Sequence, residues 1–287
     1  MRFGLLRDPA GRFSVLKTVT LLLVLCPGAE LALAWHADAL GPRPITEVIH
    51  GTGEWAIRFL VITLAVTPAR ALLDWPRVVM LRRLLGVTAA CYAVAHLTLY
   101  ALDQQWNFLH VAREIALRFY LTIGFVALLG LLALAFTSTD GWQRRLGPRW
   151  KRLHKLVFPI GVLGLFHYGI QAKADISDMV FLAGLFLWLL FWRALPRRWR
   201  AKLWPLPGLA LGAGLAAAVL EAGWYTVRNG IDGFQVLAAN LDFSFGPRPA
   251  MAAGLVGLLL VALVLLRRLG KRLFRAKPAT RPAPQRA

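Results

Sequence analysis

Residues 82–100 read RRLLGVTAACYAVAHLTLY and residues 154–172 read HKLVFPIGVLGLFHYGIQA. Each opens on basic residues, continues as an apolar run and carries a histidine deep inside it, His96 in the first and His167 in the second. A run of about 20 apolar residues, rising about 1.5 Å per residue, crosses a hydrocarbon core about 30 Å thick. Six further stretches qualify, so the spans run roughly from Val15 to Trp35, Trp55 to Leu73, Leu84 to Leu102, Tyr120 to Phe136, His154 to Ala172, Met179 to Leu195, Leu206 to Trp224 and Ala250 to Leu266. The expected fold is an all-α polytopic transmembrane bundle of about eight spanning helices. Composition agrees: 58% of the 287 residues are hydrophobic, and a mean hydropathy of +0.57 is too high for a chain that must present a polar surface to water.

The formal net charge of +20 would suggest nucleic acid as a partner in a soluble protein. Here the placement of the charges gives another reason for them. Of 34 Lys and Arg, 27 crowd the N-terminus, alternate connections (Arg70 to Arg83, Arg144 to Lys155, Arg193 to Lys202) and the C-terminal tail, while seven fall on the opposite side. The positive-inside rule places the rich side, and with it both termini, in the cytoplasm. The localisation expected is the bacterial inner membrane, with anionic lipid as a partner of the basic loops and no nucleic acid. Ala32-Leu33-Ala34 after the first run resembles a signal-peptidase site, but the run is too long for an ordinary signal core and reads as a retained helix. Cys26 and Cys91 lie in apolar segments without CxxC spacing and read as small core residues.

The organisation expected along the chain is an N-terminal segment with the first span (1–50), a core of spans (51–200), an extension with two more (201–270) and a disordered basic tail (271–287). No repeat at a fixed period is visible, and neither a Gly-rich dinucleotide turn nor a Walker sequence is present. Trp35 to Glu54 reads as an external loop, Asp103 to Arg118 as an interfacial segment with a helix lying on the membrane, and Tyr225 to Pro249 as another external loop. Gly208 and Gly212 form a small-xxx-small pair suited to close helix packing. Glu30 and Glu221, near external helix ends, read as snorkelling carboxylates.

Of the six histidines, His36, His50 and His110 fall in predicted loops. Imidazole inside a membrane is costly unless it is used. Counting inward from the basic ends, His96 lies about 18 Å deep and His167 about 20 Å deep, so the two are level. Two level imidazoles on neighbouring helices are what haem iron needs as axial ligands; the alternative is helix-to-helix hydrogen bonding. His154 sits at the inner edge, about 140° around the helix from His167. A kink at Pro159 could change that angle, and His154 is a candidate ligand of a second haem or a surface histidine.

With those residues in place, TGEWAIRFLVITLAVTPAR (52–70), RRLLGVTAACYAVAHLTLY (82–100), RFYLTIGF (118–125), TSTDGWQRRLGPRWKRLHKLVF (137–158) and HYGIQAK (167–173) resemble the MsrQ family. These are haem-binding membrane subunits of the periplasmic methionine-sulfoxide reductase system, within the ferric-reductase-like transmembrane group. The resemblance implies heme b on His96, His167 and His154, with FMN as a further candidate cofactor. It also implies a cytoplasmic flavin reductase or quinol as electron donor and a periplasmic molybdopterin-containing reductase subunit as acceptor. On this expectation the chain carries electrons and does not itself reduce the sulfoxide. The second expectation is a ferric-reductase-like oxidoreductase acting on another external acceptor, and the third a transporter whose histidines only tie helices together.

Overall fold

The computed structural model describes residues 6–7, 11–172, 175–244 and 246–275. Lys173 and the tail beyond Arg275 lie outside the described residues. Eight helical segments among those described are long and apolar enough to cross a membrane, as the hydropathy pattern predicts. They are α1 (Val15–His36), α2 (Pro44–Leu72), α3 (Leu81–Asp103, entered through a 3-10 turn at Pro76–Met80), α5 (Phe119–Phe136), the broken pair α7 (Pro148–Leu153) and α8 (Val157–Gln171), α9 (Ser177–Ala194), α10 (Pro205–Asn229) and α12 (Pro249–Arg275). Three short helices cap connections: α4 (Phe108–Leu117), α6 (Asp140–Leu146) and α11 (Gly233–Ala239).

The helix α2 begins eleven residues before the expected span, at Pro44. Proline at the first turn loses no hydrogen bond the helix needs, and Glu47 sits favourably at the positive helix end. His50 is therefore helical and not in a loop. The Gly51-Thr52-Gly53 sequence, which reads as loop, is helical because neighbours press on it: a Cβ on Gly51 would lie 2.9 Å from Leu31 and one on Gly53 2.9 Å from His96. The expected interfacial helix is α4, capped by Asn107, whose side chain accepts from His110 N.

Side chains from other helices bond to the backbone near Pro27 and Pro68. Pro27 sits inside α1, and next to it the Tyr92 hydroxyl of α3 accepts from Gly28 N (2.8 Å) and donates to Val24 O (2.9 Å). Pro68 inside α2 lacks the N–H that Leu64 O would take; Arg193 of α9 supplies it through Nη2 at 2.6 Å. Ahead of Pro159 the chain turns through a 3-10 step at His154–Leu156. The proline then falls in the first turn of α8, where its missing N–H is one that the helix start leaves unpaired.

Several expectations change. Gly208 has no atom within 4 Å of a built Cβ and Gly212 only Phe191 at 3.9 Å. The close α10–α12 contact runs instead through Ala210 and Gly214 against Gly254 and Gly257, two residues and so about 200° away around α10. Glu221 does not snorkel; it is 2% exposed and held by Arg248 (2.6 Å) and Asn240 (2.9 Å). Cys26 and Cys91 are exposed on the outer face of the bundle and not in its core.

Candidate functional site

Helices α2, α3, α5 and α8 enclose a cavity of about 600 Å³ lined by Ile57, Leu60, Leu128, Leu131, His96 and His167 among others. The matched depth read from sequence is realised: the two imidazole centres lie 6.2 Å apart with their planes at 84°. Each Nδ1 faces a backbone carbonyl, His96 that of Ile49 and His167 that of Tyr120, both at 2.8 Å. A carbonyl only accepts, so each Nδ1 carries the proton and donates. That leaves the two Nε2 lone pairs, which make no hydrogen bond among the described residues, as the chemically available groups of the cavity.

The supporting residues recur. Ile49, Gly53 and His96 on the α2–α3 pair have counterparts in Tyr120, Gly124 and His167 on the α5–α8 pair, and each counterpart lies 71 positions later (49 and 120, 53 and 124, 96 and 167). The same shift pairs Ala56 with Ala127, Ile57 with Leu128, Leu60 with Leu131, Ala93 with Gly164 and Leu97 with Tyr168, all lining the cavity. The repeat absent from the side-chain pattern is thus present in the structure, as two helical hairpins facing each other across the cavity. Few identities survive because an apolar position needs size and not a particular residue.

One end of the cavity is polar, with His50, Glu54, Tyr100, Gln171, Asp175 and Asp178 on its lining. Arg58 bridges Glu54 (3.2 Å) and Asp178 (2.8 Å) across α2 and α9. His154 does not line the cavity: it stacks on Trp150 with ring centres 3.8 Å apart. Its Nδ1 lies 3.2 Å from Trp150 O and its Nε2 3.4 Å from Ser138 Oγ, both long for hydrogen bonds. Nearby, Arg83 pairs with Asp140. That hydrogen bond holds the Asp140 carboxyl below its ordinary pKa, so the pair persists above the usual carboxylate range and is lost only as acid protonates Asp140.

The structure brings His96 and His167 together and sets beside them Gly53 and Gly124, which the sequence did not single out, as it did not single out Arg193. The only advance signal for Arg193 was Pro68, which announces an unpaired carbonyl four residues earlier. Among the described residues no group of three or more His, Cys, Asp or Glu could hold a bare metal ion.

The family described as ferric reductase like transmembrane component matches residues 52–165, which span α2 to most of α8. A protein-methionine-sulfoxide reductase heme-binding subunit MsrQ from Xanthomonas oryzae pv. oryzae (strain MAFF 311018) is 43% identical over 187 residues, 63% of this chain and 86% of the relative. The subunits of the same name from Xanthomonas euvesicatoria pv. vesicatoria and Azospira oryzae are 47% identical (62% of this chain, 84% of the relative) and 37% identical (68% and 84%). No solved structure matches.

Proposed function

The chain belongs to the MsrQ family of protein-methionine-sulfoxide reductase heme-binding subunits, and on that premise we propose that it is an electron-transfer subunit. On this reading it holds heme b between His96 and His167 and serves an external methionine-sulfoxide reductase. The observation that carries the reading is the 6.2 Å separation of two imidazoles whose Nδ1 atoms are both occupied as donors. Two neighbouring imidazoles, each oriented by a backbone carbonyl, are the donor set that would hold a haem iron. The cavity volume of about 600 Å³ is in the range of cofactor pockets.

The haem would supply one-electron chemistry at a potential set by its axial ligands and surroundings. The residues of this chain do the rest. His96 and His167 would hold the iron through Nε2, the carbonyls of Ile49 and Tyr120 fix tautomer and ring orientation, and Ile57, Leu60, Leu128 and Leu131 exclude water. The charge distribution supports a direction, in which the basic connections would face a cytoplasmic flavin reductase or a quinol and the polar cavity end a periplasmic molybdopterin-containing acceptor. The Arg144 to Lys155 run suits the phosphate of FMN or a donor protein. In this reading residues 51–200 form the haem core and 201–270 an accessory unit.

The absorption spectrum of the purified chain tests the assignment. Wild type should show a low-spin haem Soret band, and His96→Ala and His167→Ala should each lose most of it; full haem in both variants would refute the ligands. The ferric-reductase-like match over 52–165 supports a second reading, direct reduction of an external ferric chelate. Mixing reduced protein with ferric chelate or with the sulfoxide reductase separates the two, because only the true acceptor reoxidises the haem rapidly.

A further inference from the structure

In an α-helix the side chains of residues i and i+4 lie one above the other, and the Cβ of i+4 tilts back toward the carbonyl of i. That carbonyl accepts one bond from the helix and has a second lone pair, which an overhanging Cβ shields. At Gly53 and at Gly124 there is no Cβ. The carbonyls four residues earlier, Ile49 and Tyr120, are the two that receive the imidazole Nδ1 protons at 2.8 Å. The glycines also make room for the rings. A Cβ at Gly53 would lie 2.9 Å from His96 Nδ1 and 3.1 Å from Cε1, and a Cβ at Gly124 would lie 2.8 Å from both His167 Cε1 and Nδ1. Such distances force a ring to move, and the ring cannot move without leaving its carbonyl. The Thr52 hydroxyl, the other group near Ile49 O at 2.9 Å, has Val48 O at 2.8 Å as its alternative acceptor.

Glycine weakens a helix interior, yet the two hairpins carry it at equivalent positions, each paired with the same carbonyl offset and with hydrogen bonds that both span 47 residues. We propose that Gly53 and Gly124 are positioning residues that seat the two axial histidines, each baring a carbonyl for Nδ1–H and together holding the imidazole planes near the 84° observed. The proposal rests on the haem reading above and adds the residues that set ligand orientation and basicity.

The test uses the full chain in detergent, loaded with haem. Near-perpendicular imidazole planes give low-spin ferric haem a strongly anisotropic resonance, whereas near-parallel planes give an ordinary rhombic one. Wild type should show the anisotropic signal and an exchangeable proton on each ligand Nδ1. A rhombic signal in wild type would overturn the proposal without any variant. Gly53→Ala and Gly124→Ala should each shift the resonance toward rhombic, raise the midpoint potential as the imidazole loses its acceptor, and weaken haem retention by roughly 10- to 100-fold, the usual effect of losing an outer partner of a metal ligand. Gly86→Ala is the control, since its Cβ would meet only a Thr63 methyl at 3.6 Å; its resonance, potential and retention should match wild type. Wild-type resonance, potential and retention in both glycine variants would refute the positioning role while leaving the haem assignment intact. A wild type without any Soret band would refute the haem assignment itself.

Discussion

The chemistry turns on which nitrogen of each histidine is free. Because the carbonyls of Ile49 and Tyr120 take both Nδ1 protons, the available atoms are the Nε2 lone pairs, and their basicity is raised by the hydrogen bond on the far side of the ring. His154 differs. It has long contacts on both nitrogens, so neither holds the ring firmly against a competing metal. A haem-to-protein ratio of two in wild type that falls to one in His154→Ala would assign His154 to a second haem. A ratio of one in both would leave His154 as the stacking partner of Trp150. Depth along the helix made His96 and His167 legible in the sequence, because buried imidazole in lipid calls for a use. The glycines facing them were not legible. An apolar helix has many uses for glycine, and only the neighbour across the gap tells which applies.

At the level of elements, side chains from other helices bond to the backbone near Pro27 of α1 and Pro68 of α2. The Tyr92 hydroxyl bridges Gly28 N and Val24 O beside Pro27 of α1, and α1 is otherwise little buried. Tyr92→Phe removes one acceptor and one donor from partly buried backbone and should destabilise α1 docking by about 1–3 kcal/mol. Hydrogen exchange at the Gly28 amide should rise, with the haem spectrum unchanged. Protection equal to wild type would show that Tyr92 does not hold α1 there. Arg193 plays the equivalent part for α2 at Leu64 O, lying also over the Phe158 ring. Span number and the interfacial α4 were legible, since apolar length and amphipathic pattern are local properties. The early start of α2 was not, because Gly51 and Gly53 read as loop until the side chains packed against them are known.

Across the molecule, two α-hairpins displaced by 71 residues surround the cavity, and the extension packs elsewhere. Helices α10 and α12 pack on each other and on α9, touching the site's helices chiefly where Trp224 lies against Gly169. One end of the pair is fastened by Glu221, Arg248 and Asn240. Arg248→Met leaves a carboxylate that is 2% exposed without its cation and should cost about 3–5 kcal/mol. The melting temperature in detergent should fall while haem content and spectrum stay at wild-type values; loss of haem in this variant would show that the extension shapes the site.

The sequence alone determined a helical membrane bundle of eight spans, the sidedness expected from its charges, and two histidines at one depth. These follow from composition and from the fixed rise of a helix, which act residue by residue. Tertiary structure alone decided that the two histidines face each other 6.2 Å apart, that glycines bare the carbonyls holding them, that Glu221 is paired and not snorkelling, and that the cavity is built from a repeat. Each of these depends on which helix faces which and at what rotation. That is settled by shape and by hydrogen bonds between residues distant in the chain, which no local pattern records.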